Sequence, residues 1–115
     1  MQTIICMKWG SRYGPEFVNR LQTSIKRHTN RPTRLYCFTD NKLGISEEVI
    51  CKPLPEINLP ESISFTPWRK LSVWQYPLDE LRGDILFLDL DLVITGNLDR
   101  FFDFKPGKYC VIENW

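Results

Sequence analysis

Residues 85–91 read Ile-Leu-Phe-Leu-Asp-Leu-Asp. Residues 85–90 of this stretch are predicted to form the most apolar strand of the chain. A short apolar run of this kind is typical of a strand that is covered on both faces of a parallel sheet. Asp89 and Asp91, at the end of this strand, are separated by a single residue, so an extended backbone would point both side chains to the same side. Because open α/β sheets bind ligands at the carboxyl ends of their strands, we predict a ligand site there.

Further strands and an amphipathic helix precede this segment. Residues 3–7 are apolar throughout and predict a buried strand. Pro15 can occupy the first position of a helix, and the apolar residues that follow it recur at helical spacing. Residues 34–39 and 49–52 predict two more strands. This order predicts a right-handed parallel crossover and an α/β fold, in which a mostly parallel sheet is flanked by helices in a Rossmann-like arrangement.

The second half of the chain begins with a segment that contains several prolines. Four prolines interrupt residues 53–67, which predicts an ordered loop or lid instead of a helix or central strand. A second helix is predicted from near Trp68 to about Leu81, and Pro77 should bend it or end it early. A last strand is predicted over residues 109–112.

Composition limits the classes of protein that fit. With 115 residues, 43% of them hydrophobic and 25% charged, the chain is predicted to form a single domain over residues 1–115. Fifteen basic and fourteen acidic residues give a formal net charge of +1, and the absence of a block of like charge argues against a nucleic-acid partner. No apolar run approaches the roughly 20 residues of a membrane span, and the first residues do not have the pattern of a secretory signal.

The four cysteines, Cys6, Cys37, Cys51 and Cys110, form no C-x-x-C pair. Most of them lie in segments that are predicted to be strands, so we interpret them as reduced core thiols and not as disulfides or zinc ligands. This interpretation favours a reducing, cytoplasmic setting.

The acidic pair predicts a specific chemistry. Two carboxylates beside a buried strand are costly unless a cation or hydrogen-bond donors compensate their charge. Hard oxygen ligands suit Mg²⁺ or Mn²⁺, which keep coordination positions for water and a substrate diphosphate. A D-x-D alone is a weak signal, so two purely structural carboxylates remain the alternative.

Three segments together resemble a known family. Trp68-Arg-Lys-Leu-Ser-Val-Trp74, the segment Gly83–Asp99 that contains the D-x-D, and Phe101-Phe102 occur in this order along the chain. Their order and spacing resemble the GT-A glycosyltransferases, most closely the family-eight type that includes glycogenin and bacterial sugar transferases. The resemblance covers roughly the whole chain. It implies a Rossmann-like, GT-A nucleotide-binding half that takes a nucleotide sugar, most simply a UDP-sugar, and passes the sugar to an unidentified acceptor.

The resemblance also implies roles for the residues around the D-x-D. Asp91 would coordinate a divalent cation, Mn²⁺ or Mg²⁺, and Asp89 would share that metal or bind the ribose. Lys70 matches the family's lysine near the diphosphate. A lysine in the first turn of a helix would also add its charge to the positive end of the helix dipole. The alternative is an exposed helix lysine, since Arg69 is equally available.

The segment after the first strand is where the family holds its nucleobase, and Lys8, Trp9, Gly10 and Tyr13 follow that strand here. Tyr13 stands where a base-stacking tyrosine is expected. Either aromatic residue could instead cover the core. Asp40, just after the second strand, could accept hydrogen bonds from the base or the ribose, or be an ordinary turn aspartate.

The chain departs from the family after the D-x-D. Family members continue with an acceptor-binding half and a distal histidine that completes the metal site, whereas this sequence ends 24 residues after Asp91. His28, its one histidine, is predicted to lie on the surface near the end of the first helix. We therefore expect a truncated, donor-binding half without the acceptor half. An incomplete sheet would expose an edge for self-association, which light scattering would detect.

Two other functions compete with the transferase. Asp89-Leu-Asp-Leu-Val93 also fits the D-x-D-x-[TV] signature of haloacid-dehalogenase-like phosphatases, where the first Asp is the nucleophile. That motif normally lies on the opening strand, and too little chain follows here to supply the other groups. A non-catalytic nucleotide-sugar-binding or structural module is the second alternative. The sugar, the acceptor and the stereochemistry of transfer stay open.

Overall fold

The fold is a parallel sheet with helices. In the computed structural model of the chain, which describes residues 1–60, 70, 72, 78, 81–108 and 110, six elements follow one another. They are β1 (Gln2–Lys8), α1 (Pro15–Arg27), β2 (Thr33–Thr39), β3 (Ile50–Lys52), β4 (Ile85–Phe87) and α2 (Asp99–Asp103). The sheet order is β3-β2-β1-β4 and every pairing is parallel. The predicted α/β fold, a parallel sheet flanked by helices, is confirmed, and the strand order is consistent with the predicted Rossmann-like arrangement.

One face of the sheet packs against α1. Pro15 lies at the start of this helix, as predicted, and the buried residues Val18, Leu21 and Ile25 form its inner face. They belong to a core cluster with the β1 residues Ile4 and Cys6. We name this side of the sheet the α1 face.

The other face of the sheet is also buried. Ile5 and Met7 of β1 and Tyr36 and Phe38 of β2 form a second core cluster with Leu78 and Leu81. Phe38 and Tyr36 are each 1% exposed. Burial on both faces explains why β1 and β2 are apolar at successive positions and do not alternate with polar residues.

β4 is shorter than predicted. It ends at Phe87, although the Leu88 N–H still donates to Ile5 O at 3.0 Å. The backbone then turns at Leu90 and Asp91. Among the described strands β4 is paired with β1 alone, so self-association through its open edge stays a prediction.

Several predicted elements fall on residues outside the described part. Most of the helix predicted for residues 68–81 lies there, although the Leu81 N–H donates to Leu78 O at 3.0 Å. Residues 53–60 contain no helix or strand, as predicted for the loop, and 61–67 lie outside the described residues. The strand predicted over 109–112 also lies outside them apart from Cys110, which is exposed.

The four cysteines are free thiols. Cys6 and Cys37 are buried neighbours on β1 and β2, whose register pairs them directly. A hydrogen bond with Cys37 and burial raise the pKa of the Cys6 thiol. These two thiols therefore act as small apolar core groups.

A polar network at the amino edge of the sheet was not predicted. Asp99, 7% exposed, opens α2. Its carboxylate accepts from Gln2 Nε2 at 2.8 Å and from the Asn30 N–H at 2.9 Å. Asn97 Oδ1 accepts from the Asp99 N–H at 2.7 Å. This network joins α2 to β1 and to the connection that follows α1.

Replacing Asp99 with asparagine should destabilise the protein in a pH-dependent way. The hydrogen bond from the Asn30 N–H, with help from Gln2, lowers the pKa of the Asp99 carboxyl. A lowered folded-state pKa stabilises the protein above the unfolded-state pKa of about 3.9, and this contribution disappears as pH falls through the folded-state value. In thermal melts, Asp99→Asn should melt below wild type at pH 7, and the difference should shrink below about pH 4. The exposed Glu47→Gln is the control, and a difference independent of pH would contradict the prediction.

Neither helix in the described part of the chain has the length and apolar character that crossing a membrane requires.

Candidate functional site

The carboxyl edge of the sheet contains a topological switch point. From β1 the chain passes to β2 and β3 on one side of the sheet, and then returns to place β4 on the other side of β1. The strand order thus reverses between β1 and β4. In open α/β sheets the crevice at such a reversal binds ligands. Asp89 and Asp91, which follow β4, and Lys8, which ends β1, lie on its two sides.

Asp89 is paired with a lysine. Lys70 Nζ lies 2.5 Å from Asp89 Oδ1, and the two side chains are 38% and 43% exposed. Lys70 Nζ also lies 5.9 Å from the ring centroid of Phe87. Leu88 and Leu90 are each 8% exposed and anchor the backbone on either side of Asp89. The carboxylate is thus held at the surface by buried neighbours, with a cation beside it.

Asp91 has a different partner. The Tyr13 hydroxyl donates to Asp91 Oδ2 at 3.4 Å, a long contact between exposed groups. The ring of Tyr13 meets Phe17 edge to face at 4.9 Å, and the Arg12 guanidinium lies 5.6 Å from the Tyr13 ring centroid. Because β4 ends at Phe87, strand alternation does not orient the two carboxylates, and each contacts a different part of the chain.

Asp40 connects the loops that follow β1 and β2. Its Oδ2 accepts from the Gly10 N–H at 2.9 Å. Gly10 has φ +66°, a left-handed conformation that favours glycine. Trp9 packs partly against the second core cluster, whereas Tyr13 packs against the α1-face cluster. The two aromatic residues therefore contact different clusters, and both take part in covering the core.

Lys8, the last residue of β1, is 6% exposed. Among the residues that the structure describes, none forms a hydrogen bond or ion pair with its ammonium group. A lysine this deeply buried is unusual without a partner. A long apolar stem explains why most of the side chain is buried. It does not explain why the side chain ends in a charged group.

The described residues contain no group of three or more His, Cys, Asp or Glu side chains that could hold a metal ion. Asp89 and Asp91 alone would supply two carboxylates. A hard divalent cation bound there would take its other ligands from water and from phosphate oxygens. The ammonium group of Lys70 lies on Asp89, so this carboxylate pairs with a positive group in the structure, and both aspartates carry the hard oxygen donors that Mg²⁺ and Mn²⁺ prefer.

Some groups near the site were missed by sequence reasoning, and one residue lies far from it. The approach of Lys70 to Phe87 depends on tertiary packing and has no local signal. Arg12 and Tyr13 are adjacent in sequence, and this adjacency was the available signal for their contact. His28 ends α1, where its Nδ1 lies 2.8 Å from Ser24 O. Its carbonyl accepts from the Leu98 N–H at 2.7 Å, so the histidine belongs to the amino edge of the sheet.

No family model, no curated protein and no solved structure matches the chain. The class of the protein therefore rests on its own architecture. It is an α/β protein with a parallel sheet ordered β3-β2-β1-β4. Two carboxylates, two lysines and a tyrosine line the carboxyl edge of that sheet.

Proposed function

We propose that the chain is the donor-binding part of a metal-dependent glycosyltransferase of the GT-A type. Its donor would be a nucleotide diphosphate sugar, most simply a UDP-sugar, and Mn²⁺ or Mg²⁺ its metal. The observation that carries the proposal is the Lys70–Asp89 ion pair, 2.5 Å long, in the crevice between β1 and β4. A carboxylate and an ammonium in one crevice provide a group for a metal and a group for a phosphate.

Lys70 would act on the leaving group. Transfer of the sugar leaves negative charge on the diphosphate, and a fixed ammonium group stabilises that charge as it develops. The bound metal would supply Lewis-acid stabilisation of the same diphosphate. Asp89 and Asp91 would hold it, and Asp89 also fixes the direction of Lys70 in its absence.

The nucleoside would lie near the loop after β1. The Tyr13 ring offers a surface for stacking, and Trp9 lies in the same connection. The second oxygen of Asp40 is available for a base or ribose hydroxyl, since the Gly10 N–H is bound to Oδ2. The residues of this crevice provide no candidate for binding the acceptor. A reducing, cytoplasmic setting and self-association through the β4 edge are further parts of the proposal.

Calorimetric titration with UDP and a panel of UDP- and GDP-sugars, with and without Mn²⁺, tests the proposal. We expect saturable binding that requires both the metal and Asp91. Asp91→Asn should weaken it by at least tenfold, since a hydrogen bond or metal contact to a charged group contributes about 1.5–3 kcal/mol. The exposed Asp84→Asn, at the other end of β4, is the matched control.

Other results would favour the alternatives. Metal-dependent binding without sugar transfer to any acceptor would indicate a non-catalytic module. Hydrolysis of a phosphate monoester that depends on Asp89 would indicate the phosphatase. Equal binding by wild type and Asp91→Asn would reject the D-x-D as the donor site.

A further inference from the structure

Lys8 is the residue of the crevice whose position is least explained by the fold. It is 6% exposed, and within the described part of the chain its ammonium group has no hydrogen-bonding or ionic partner. Lys8 Nζ is not among the side-chain atoms that are fully buried without a partner, so the stem is buried while the ammonium group still reaches solvent. The buried stem holds this unpaired ammonium group in one place at the end of β1.

The direction of Lys8 follows from the alternation of β1. Ile4 and Cys6 belong to the cluster of the α1 face, and alternation places Lys8 on that same face, at its carboxyl end. Tyr13 packs against this cluster and contacts Asp91 through its hydroxyl at 3.4 Å. Lys8 therefore points into the corner of the crevice where the loops after β1 and β4 meet.

The start of α1 does not replace Lys8 as an anion site. In many α/β proteins a phosphate binds at the first helix N-terminus. Here Glu16, in the first turn of α1, folds back so that its carboxylate lies over Gly14, the residue that caps the helix. An acidic group already occupies the positive end of this helix. Lys70 is bound to Asp89 and the Arg12 guanidinium lies on the Tyr13 ring, which leaves Lys8 as a cation at the end of β1 with no ionic partner among the described residues.

We infer that Lys8 binds the phosphate-bearing part of the ligand, a diphosphate, and not its nucleobase. The inference rests on the proposed function for the identity of the diphosphate, but the ammonium group itself requires only a phosphate anion. Lys8 then supplies a second charge on the β1 side of the crevice, opposite Lys70 on the β4 side. The anion would supply the ionic partner that this ammonium group lacks within the described residues.

Lys8→Met tests this inference, because methionine keeps most of the stem and removes the charge. In thermal melts without ligand, Lys8→Met should melt close to wild type, because methionine keeps most of the buried stem and the ammonium group that is lost has no partner within the described residues. In calorimetric titrations with inorganic pyrophosphate and with UDP, it should bind about tenfold to a hundredfold more weakly. Its affinity for uridine, which has no phosphate, should be unchanged. The exposed Lys108→Met removes the same charge elsewhere and should behave as wild type.

Each outcome separates this inference from the proposed function. Equal affinity of wild type and Lys8→Met for pyrophosphate would overturn the inference, as would equal losses for UDP and uridine or an absence of pyrophosphate binding to wild type. Pyrophosphate binding that depends on Lys8 but not on Mn²⁺ or Asp91 would support the inference while rejecting the metal-dependent transferase. UDP binding that depends on the metal and on Asp91 but is the same in Lys8→Met would support the proposed function while rejecting this inference.

Discussion

Phe38→Ala should lower the free energy of unfolding by about 3–5 kcal/mol, because it removes a large side chain from a site that cannot collapse around the loss. Phe38 is 1% exposed and lies on β2, which has a strand on either side. It packs in the second core cluster with Met7 and Leu81. A loss of this size is a large share of the about 5–15 kcal/mol that stabilises a typical domain.

Urea denaturation followed by fluorescence measures this loss. Phe104→Ala is the matched control, since Phe104 is 60% exposed and its truncation should change the free energy of unfolding by less than about 0.5 kcal/mol. The comparison tests whether the face of the sheet opposite α1 is a true core. Similar small losses for both variants would mean that it is not. The result also bears on function, because Phe38 is two residues before Asp40 and secures the end of β2.

The elements that the sequence predicted well have a strong and local signal. β1 and β2 are apolar without interruption, and α1 combines helical spacing with Pro15 at its start. The end of β4 was predicted less well. Leu88 and Leu90 are as apolar as the strand before them, yet the chain turns at Leu90 and Asp91. Composition indicates that these residues are buried but does not distinguish an extended backbone from a turn.

α2 and its network escaped prediction for a different reason. The helix has five residues, too few for a helical period to appear in the sequence. Its position depends on a hydrogen bond between Asp99 and Gln2, which are 97 residues apart in the chain. A long-range contact of this kind has no local signal, although the hydrogen bond that the Asp99 N–H donates to Asn97 Oδ1 is a common turn pattern.

For the site, the sequence predicted which residues lie at the carboxyl edge but not how they pair. The position of Asp89 and Asp91 after an apolar strand placed them there by topology. The ion pair of Asp89 with Lys70, 19 residues earlier in the chain, could not be derived from spacing. Nor could the burial of Lys8, because a lysine at the end of a strand is usually exposed.

Lys70→Met should change two affinities in opposite directions. In the free protein the Lys70 ammonium group lies on Asp89 Oδ1, where a divalent cation would compete with it. Two unit charges about 4 Å apart interact by about 1 kcal/mol in water, and the double charge of the cation raises this repulsion to about 2 kcal/mol, which weakens its binding by roughly thirtyfold. We therefore expect Lys70→Met to bind Mn²⁺ alone more tightly by about that factor.

The same substitution should weaken nucleotide binding. With Mn²⁺ at saturation, UDP should bind to Lys70→Met about tenfold to a hundredfold more weakly, because the diphosphate loses a charged donor. Titration of MnCl₂ alone, then of UDP with saturating MnCl₂, measures both affinities on one sample. Lys26→Met is the matched control: it also breaks a lysine–carboxylate ion pair, with Glu48 at 2.7 Å, but on α1 away from the crevice.

The opposite signs are what make this experiment decisive about the role of Lys70. If the ion pair only held the loop around Asp89 in place, its loss would disorder the crevice and both affinities would fall. If Lys70 were an incidental surface lysine, neither would change, as expected for Lys26→Met. Tighter binding of Mn²⁺ together with weaker binding of UDP requires one ammonium group that occupies the cation's position in the free protein and binds the diphosphate once the cation arrives. That exchange would couple metal binding to donor binding through a single side chain.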